Sequence, residues 1–192
     1  SPYPCPVCDL GESTNGETGN VNCTLCGPGR YADEQGLAWC KLCEPGAYFN
    51  GTGAANSSVC TECQMGSYAP DPGGFGLCLP CGVATFMSST GAAECTGCPA
   101  GKSVDYEGAI STDECSLCPA GKFAPEGSVC QECGAGQTSS EDRISCPPCQ
   151  PGTFAPVPGT PQCLGCDPGY SSGELASECS SCSSGLFSSD PG

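Results

Sequence analysis

The chain of 192 residues carries 22 cysteines, 29 glycines and 19 prolines, a formal net charge of −16 and no histidine. Cysteine above about 8–10% of a chain marks a disulfide scaffold rather than a domain built around an oily interior. Without histidine there is no neutral-pH general base or triad, and Arg30, Lys41, Lys102, Lys122 and Arg143 are too scattered to clamp phosphates, so neither an enzyme nor a nucleic-acid binder is expected.

All the cysteines fall into eleven CxxC motifs, opening at Cys5, Cys23, Cys40, Cys60, Cys78, Cys95, Cys115, Cys130, Cys146, Cys163 and Cys179. Units this short cannot bury a core alone, so they must be stapled and stacked on their neighbours. The expected fold class is small disulfide-rich repeats forming an elongated rod, with little regular secondary structure, short β ladders and turns. Such disulfide density persists in oxidising surroundings, which places the chain outside the cytosol, in an extracellular or cell-surface setting. No apolar run is long enough to cross a membrane. The chain neither starts with Met nor carries an apolar signal segment, which reads as a mature or partial chain whose array continues beyond its ends.

In chain order, residues 1–59 form a first triplet of repeats with motif spacings of 18, 17 and 20 residues. Residues 60–114 repeat those spacings, and Gly108-Ala109 stands 55 residues after Gly53-Ala54, which reads as a duplicated triplet. From residue 115 to 192 the repeats shorten to 15–17 residues. The first triplet holds three N-glycan sequons, at Asn22 in NCT, Asn50 in NGT and Asn56 in NSS. Trp39, beside Cys40, is expected to cover a disulfide. ADEQGLAW (32–39) and SSGELASE (171–178) hold enough helix formers for one helical turn at most.

Three residues after the second cysteine of each motif stands a glycine: Gly11, Gly29, Gly46, Gly66, Gly101, Gly121, Gly136, Gly152, Gly169 and Gly185. A glycine at that fixed offset, preceded in four cases by Pro28, Pro45, Pro151 or Pro168, predicts a tight turn with positive φ. Ala84 breaks the rule, which predicts a different turn there. Two residues further on an aromatic recurs at Tyr31, Tyr48, Tyr68, Phe86, Phe123, Phe154 and Phe187. These rings are the expected cores. Units without one, around Ser13, Ser103, Thr138 and Ser171, are expected to be softer, with Tyr170 substituting in the last.

Two disulfide ladders compete. In the favoured one, the second cysteine of each motif joins the first of the next: Cys8–Cys23, Cys26–Cys40, Cys43–Cys60, Cys63–Cys78, Cys81–Cys95, Cys98–Cys115, Cys118–Cys130, Cys133–Cys146, Cys149–Cys163 and Cys166–Cys179. It leaves Cys5 and Cys182 unpaired or available to neighbouring subunits. In the other, whole motifs pair through crossed bridges such as Cys5–Cys23 and Cys8–Cys26. Zinc binding by paired CxxC motifs is disfavoured by their odd number and by the oxidising compartment, and no DxDxDG calcium loop is present. No metal or other cofactor is expected.

The phrase CxxC, then PGxY or AGxF, then a GA-rich stretch running into the next CxxC resembles the ephrin-receptor-like cysteine-rich repeat. EPGAYFNGTGAANSSVCTEC (44–63), ATFMSSTGAAECTGCPAGKS (84–103) and QPGTFAPVPGTPQCLGC (150–166) carry it best. It is similar more broadly to tumour-necrosis-factor-receptor modules and to surface and mastigoneme-type flagellar-hair proteins. The resemblance is specific for the module and not for the role; the gapless array, the unpaired end cysteines and the lack of any singled-out site favour a non-catalytic structural glycoprotein, part of an extracellular filament or surface appendage. Its partners would be other copies of itself or other surface glycoproteins, together with N-linked glycans. The alternative is a ligand-binding ectodomain or adhesin stalk of a receptor.

Overall fold

The structure, a computed structural model, describes residues 5–19, 22–73, 76–184 and 186. Gly185, Phe187 and the terminal segments SPYP and SSDPG lie outside the described residues. The chain forms two compact units, one of residues 1–82, 86–95 and 107–111, the other of residues 83–85, 96–106 and 112–192. Among the described residues both contain only two-residue strands and turns, with a 3-10 turn at Ser57–Val59 in the first and another at Thr112–Glu114 in the second. These two turns stand 55 residues apart in sequence, as do the parallel bridges Tyr31 to Ala54 and Phe86 to Ala109 in the first unit. The stretches 32–39 and 171–178 form bends and turns rather than helical turns, because glycine interrupts each of them at Gly36 and Gly173.

One local rule builds the described repeats, with a single bridge from Gln137 to Pro148 in place of the ladder after Cys133. The chain leaves the second cysteine of a motif, turns through the glycine, and runs two residues antiparallel to the inner pair of the next CxxC. In the first unit Glu12–Ser13 pairs with Thr24–Leu25, Arg30–Tyr31 with Lys41–Leu42, Ala47–Tyr48 with Thr61–Glu62, and Ser67–Tyr68 with Leu79–Pro80. In the second, Lys102–Ser103 pairs with Ser116–Leu117, Lys122–Phe123 with Gln131–Glu132, Thr153–Phe154 with Leu164–Gly165, and Tyr170–Ser171 with Ser180–Ser181. The motif's spacing follows from this: residues three apart on an extended strand point to opposite faces, so one cysteine bridges back and the other forward.

The turn has Gly29 at φ 72°, after Pro28, with the Arg30 amide donating to the Gly27 carbonyl at 3.2 Å. That is the third residue of a type II turn, where a left-handed backbone favours glycine. Ala84 differs from the expectation. It keeps the same left-handed backbone, φ 61°, and the same bonds, its amide reaching the Val104 carbonyl and its carbonyl accepting from the Cys98 amide, both at 2.8 Å. The reason lies in what covers the turn. A Cβ on Gly11, Gly29 or Gly46 would meet the carbonyl oxygen of Gly53, Gly73 or Gly91 at 2.3, 1.6 or 2.0 Å. The corresponding loop for Ala84 lies between Cys118 and Cys130, which have the shortest sequence separation of the bridged pairs, 12, and the Ala84 methyl group is buried there.

The core also differs from the expectation. The aromatic rings of Tyr31, Tyr48, Tyr68, Phe86, Phe123 and Phe154 are only half-buried. What is buried is smaller: the second cysteine of each motif from Cys8 to Cys166, and alanines at Ala32, Ala54, Ala69, Ala109, Ala124 and Ala155. The narrow interior of each repeat is filled by a disulfide and a methyl group. Trp39 is exposed, with its ring over Gly16, where a Cβ would approach it to 2.1 Å, and Tyr170 is also exposed rather than taking the missing ring's place. In the ringless unit at Ser13 the buried side chain joins a polar network instead. The Ser13 hydroxyl donates to Asn15 Oδ1 at 3.3 Å, Asn15 donates from Nδ2 to Thr24 Oγ1 at 2.8 Å, and Thr24 Oγ1 donates to the Ser13 carbonyl at 3.1 Å.

Longer-range backbone bonds join each repeat to those beyond its neighbour. The carbonyls of Cys8, Cys26, Cys43, Cys63 and Cys81 accept from the amides of Gly36, Gly53, Gly73, Gly91 and Gly108 at 2.7–2.9 Å. In the second unit those of Cys98, Cys133 and Cys149 accept from Gly127, Gly159 and Leu175. At Cys118 a side chain replaces the amide, with Arg143 Nε donating at 3.2 Å. Arg143, at φ 59°, also donates from Nη1 to the Ser140 carbonyl at 2.6 Å. Its guanidinium is a structural tie in place of a glycine.

Candidate binding and modification sites

The bridges run Cys8–Cys23, Cys26–Cys40, Cys43–Cys60, Cys63–Cys78, Cys81–Cys95, Cys98–Cys115, Cys118–Cys130, Cys133–Cys146, Cys149–Cys163 and Cys166–Cys179. Their Cα–Cα distances of 5.5–5.8 Å fit ordinary disulfide geometry. Cys5 is an exposed thiol and Cys182 a half-exposed one. The Cys182 amide is held by the Gly169 carbonyl at 2.9 Å.

Asn22, Asn50 and Asn56 are all on the surface. Asn56 caps the 3-10 turn, its Oδ1 accepting from the Ser58 amide at 3.1 Å and from the Ser58 hydroxyl. The cap uses the oxygen, while a glycan would attach to the nitrogen, so the turn and the sugar are compatible. The nearby charges are used in pairing. Lys41 sits 2.7 Å from Asp33 and 2.6 Å from Glu34, which drives its pKa upward and holds the Asp33 carboxyl below the usual range. Lys122 lies 3.4 Å from Glu132. Among the described residues no three acidic or thiol groups gather to hold a metal ion.

Two grooves open on the second unit. The larger, about 500 Å³, has apolar walls of Val83, Tyr106, Leu117 and Val129 and a rim that includes Asp105 and Glu114. The four apolar side chains are 45–51% exposed. The Tyr106 hydroxyl donates to the Glu114 carboxylate, and that bond raises the pKa of the phenol. The smaller groove, about 400 Å³, holds Phe154, Leu164, Tyr170 and Asp167. Both occupy the same place in the repeat. Ser103 and Phe154 each stand five residues after a second cysteine, and Ser116–Leu117 and Leu164–Gly165 are the inner pairs of the following motifs. Sequence reading did not find the larger groove, because its walls come from four separate segments.

Residues 51–94 and 72–115 match the family model described as tyrosine-protein kinase ephrin type A/B receptor-like. No curated protein matches the chain. The fold is thus a repeated array of small disulfide-bonded units, and over residues 51–115 it is similar to ephrin-receptor-like cysteine-rich repeats. The units on either side repeat the same turn, ladder and bridge. Ten disulfides in repeats of this kind point to an extracellular disulfide-rich domain, on or outside the cell surface. Among the described residues no helix is long and apolar enough to cross a membrane.

Proposed function

We propose that the chain is a non-catalytic structural glycoprotein that builds an extracellular filament or a cell-surface appendage of the flagellar-hair kind. The observation that carries this reading is the regular tie from a CxxC carbonyl to a loop beyond the next motif, repeated from Cys8 to Cys149. A bonding rule that repeats with little variation serves load-bearing and assembly rather than one specialised site. The thiols of Cys5 and Cys182 suit disulfide links between copies, and Asn22, Asn50 and Asn56 suit N-linked glycans that keep lateral faces hydrated. In this reading residues 1–59 and 60–114 are duplicated triplets and 115–192 a shorter-pitched continuation.

Non-reducing peptide mapping of native material tests it. The expected result is a cross-link joining a Cys5 peptide to a Cys182 peptide of another copy, with sugar on at least one sequon and polymers visible by electron microscopy. A dispersed monomer with Cys5 bridged to its own Cys182 refutes it. The second reading, a ligand-binding ectodomain or adhesin stalk, is favoured by one observation, the apolar groove beside Leu117.

A further inference from the structure

We infer that Asn50 is a self-converting site, at which the Gly51 amide nitrogen attacks the Asn50 side chain and the residue becomes aspartate or isoaspartate. The atoms balance with water as the co-reactant. The Gly51 nitrogen bonds to Asn50 Cγ and gives up its proton, and Nδ2 leaves as ammonia. Water then opens the five-membered imide at either carbonyl, giving ordinary aspartate or an isoaspartyl link that runs through Cβ and Cγ.

The chain holds two Asn-Gly pairs, Asn15-Gly16 and Asn50-Gly51, and the fold treats them oppositely. A glycine in second place leaves the attacking nitrogen without a neighbouring Cβ, and closing so small a ring brings nucleophile and carbonyl together at little entropic cost. Exposure does not separate the two pairs, since both asparagines lie on the surface. Bonding does. The Gly16 amide donates to the Ala38 carbonyl at 2.8 Å, and the turn around it is closed by the Glu17 amide on the Thr14 carbonyl at 3.2 Å. Asn15, at φ 53°, has its side chain held at both ends, Oδ1 accepting from the Ser13 hydroxyl at 3.3 Å and Nδ2 donating to Thr24 Oγ1 at 2.8 Å. Around the second pair, Asn50, Gly51 and Thr52 make no hydrogen bond among the described residues. The ring of Phe49 lies against Gly51, where a Cβ would meet it at 2.5 Å, but it is an apolar group with no oxygen to hold the amide.

This free segment is anchored on both sides. The Phe49 carbonyl accepts from the Gly29 amide, and the Gly53 amide donates to the Cys26 carbonyl, both at 2.7 Å. An isoaspartyl link lengthens the main chain between those anchors, so it strains both ties to the preceding repeat. Ordinary aspartate leaves the main chain as it was. Asp105 already occupies the equivalent place 55 residues later, between Val104, whose carbonyl accepts from the Ala84 amide at 2.8 Å, and Gly108, whose amide donates to the Cys81 carbonyl at 2.7 Å. The loop therefore accommodates the acid, and the isoaspartyl product is the one that loosens the array. A sugar on Asn50 Nδ2 would hold the nitrogen that must leave, so glycosylation and conversion exclude each other at this residue. Only that competition rests on the glycoprotein reading.

The test uses the oxidised 192-residue chain produced without N-glycans, held for weeks at body temperature in mildly alkaline buffer, so its outcome is separate from that of the glycan mapping above. Peptide mapping by mass spectrometry, with isoaspartyl methyltransferase labelling, reads conversion at each asparagine. Asn50 should convert at least about 10-fold faster than Asn15, which must first withdraw the Gly16 amide from its bond. In the reduced, unfolded chain the two sites should convert within about threefold of each other, because only the fold distinguishes them. The isoaspartyl fraction, separated by chromatography, should exchange its Gly29 and Gly53 amides about 10-fold faster, whereas Asn50→Asp should leave both within about threefold of the unaltered chain. The inference is overturned if Asn50 in the folded chain keeps its amide as long as Asn15 does, if the unfolded chain shows the same difference between the two sites, or if the isoaspartyl form exchanges those amides no faster.

Discussion

Gly29→Ala probes the covered turn most directly. The new Cβ would sit 1.6 Å from the Gly73 carbonyl oxygen, a backbone atom with no flexible end to swing away. The left-handed backbone at φ 72° costs an alanine roughly 1–2 kcal/mol. Relieving the overlap pushes the Gly73 loop outward, an overpacking cost of about 1–3 kcal/mol. It also strains the bond from the Gly73 amide to the Cys43 carbonyl, 2.7 Å long and worth about 1 kcal/mol. Together these amount to about 3–6 kcal/mol against the local structure. Native-state hydrogen exchange should therefore show protection of the Gly73 and Cys43 amides falling by about two to four decades with the disulfides intact. Ala84→Gly is the internal control. Relief of strain there, about 1 kcal/mol, is offset by a lost buried methyl and a freer unfolded chain, leaving a change within about 1 kcal/mol. If Gly29→Ala leaves Gly73 exchange within about threefold of the unaltered chain, close approach of the loop is not what reserves this position for glycine.

Other outcomes follow from the same geometry. Arg143→Ala removes two guanidinium bonds to carbonyls and should speed exchange of the Ala124 amide, which donates to the Arg143 carbonyl, by about 10-fold or more, while Arg143→Lys should fail to restore it. Removing one staple with Cys26→Ser and Cys40→Ser, a bridge of sequence separation 14, should cost about 3 kcal/mol, read as a lower denaturant midpoint and faster reduction of the adjacent bridge Cys43–Cys60. Asp142 has its carboxyl pKa lowered, first by the Ser140 hydroxyl and then by the Ile144 amide. Its stabilising contribution is therefore complete above the unfolded value of about 3.9 and is lost as pH falls through the lower folded value. The turn from Ser140 to Ser145 should loosen below about pH 4, seen as faster exchange of the Ile144 amide, and Asp142→Asn should abolish that acid dependence.

The ladder of repeats was legible because its cause is local. A CxxC pair, a glycine three residues on and a proline before it specify a turn, a two-residue strand and a pair of oppositely directed thiols, whatever lies further away. The same locality explains where residue-level reading misplaced weight. Aromatic residues at Tyr31 or Phe123 are large apolar groups in their repeats, yet they sit half-buried, while the buried positions are taken mostly by cysteine and alanine. Ala84 looked like a change of turn, although it keeps the left-handed backbone and is bonded to the Val104 carbonyl twenty residues later. Arg143 looked like one scattered cation, and its role depends on reaching the Cys118 carbonyl.

The repeat unit, its sulfur-rich character and its glycine turns were contained in the order of amino acids, since each depends on residues a few positions apart and on backbone stereochemistry. Tertiary structure alone decided which glycines are indispensable, what fills the core and which apolar side chains stay uncovered. Those outcomes depend on how closely a loop from a later repeat approaches an earlier turn, a distance that no pattern of neighbouring residues specifies.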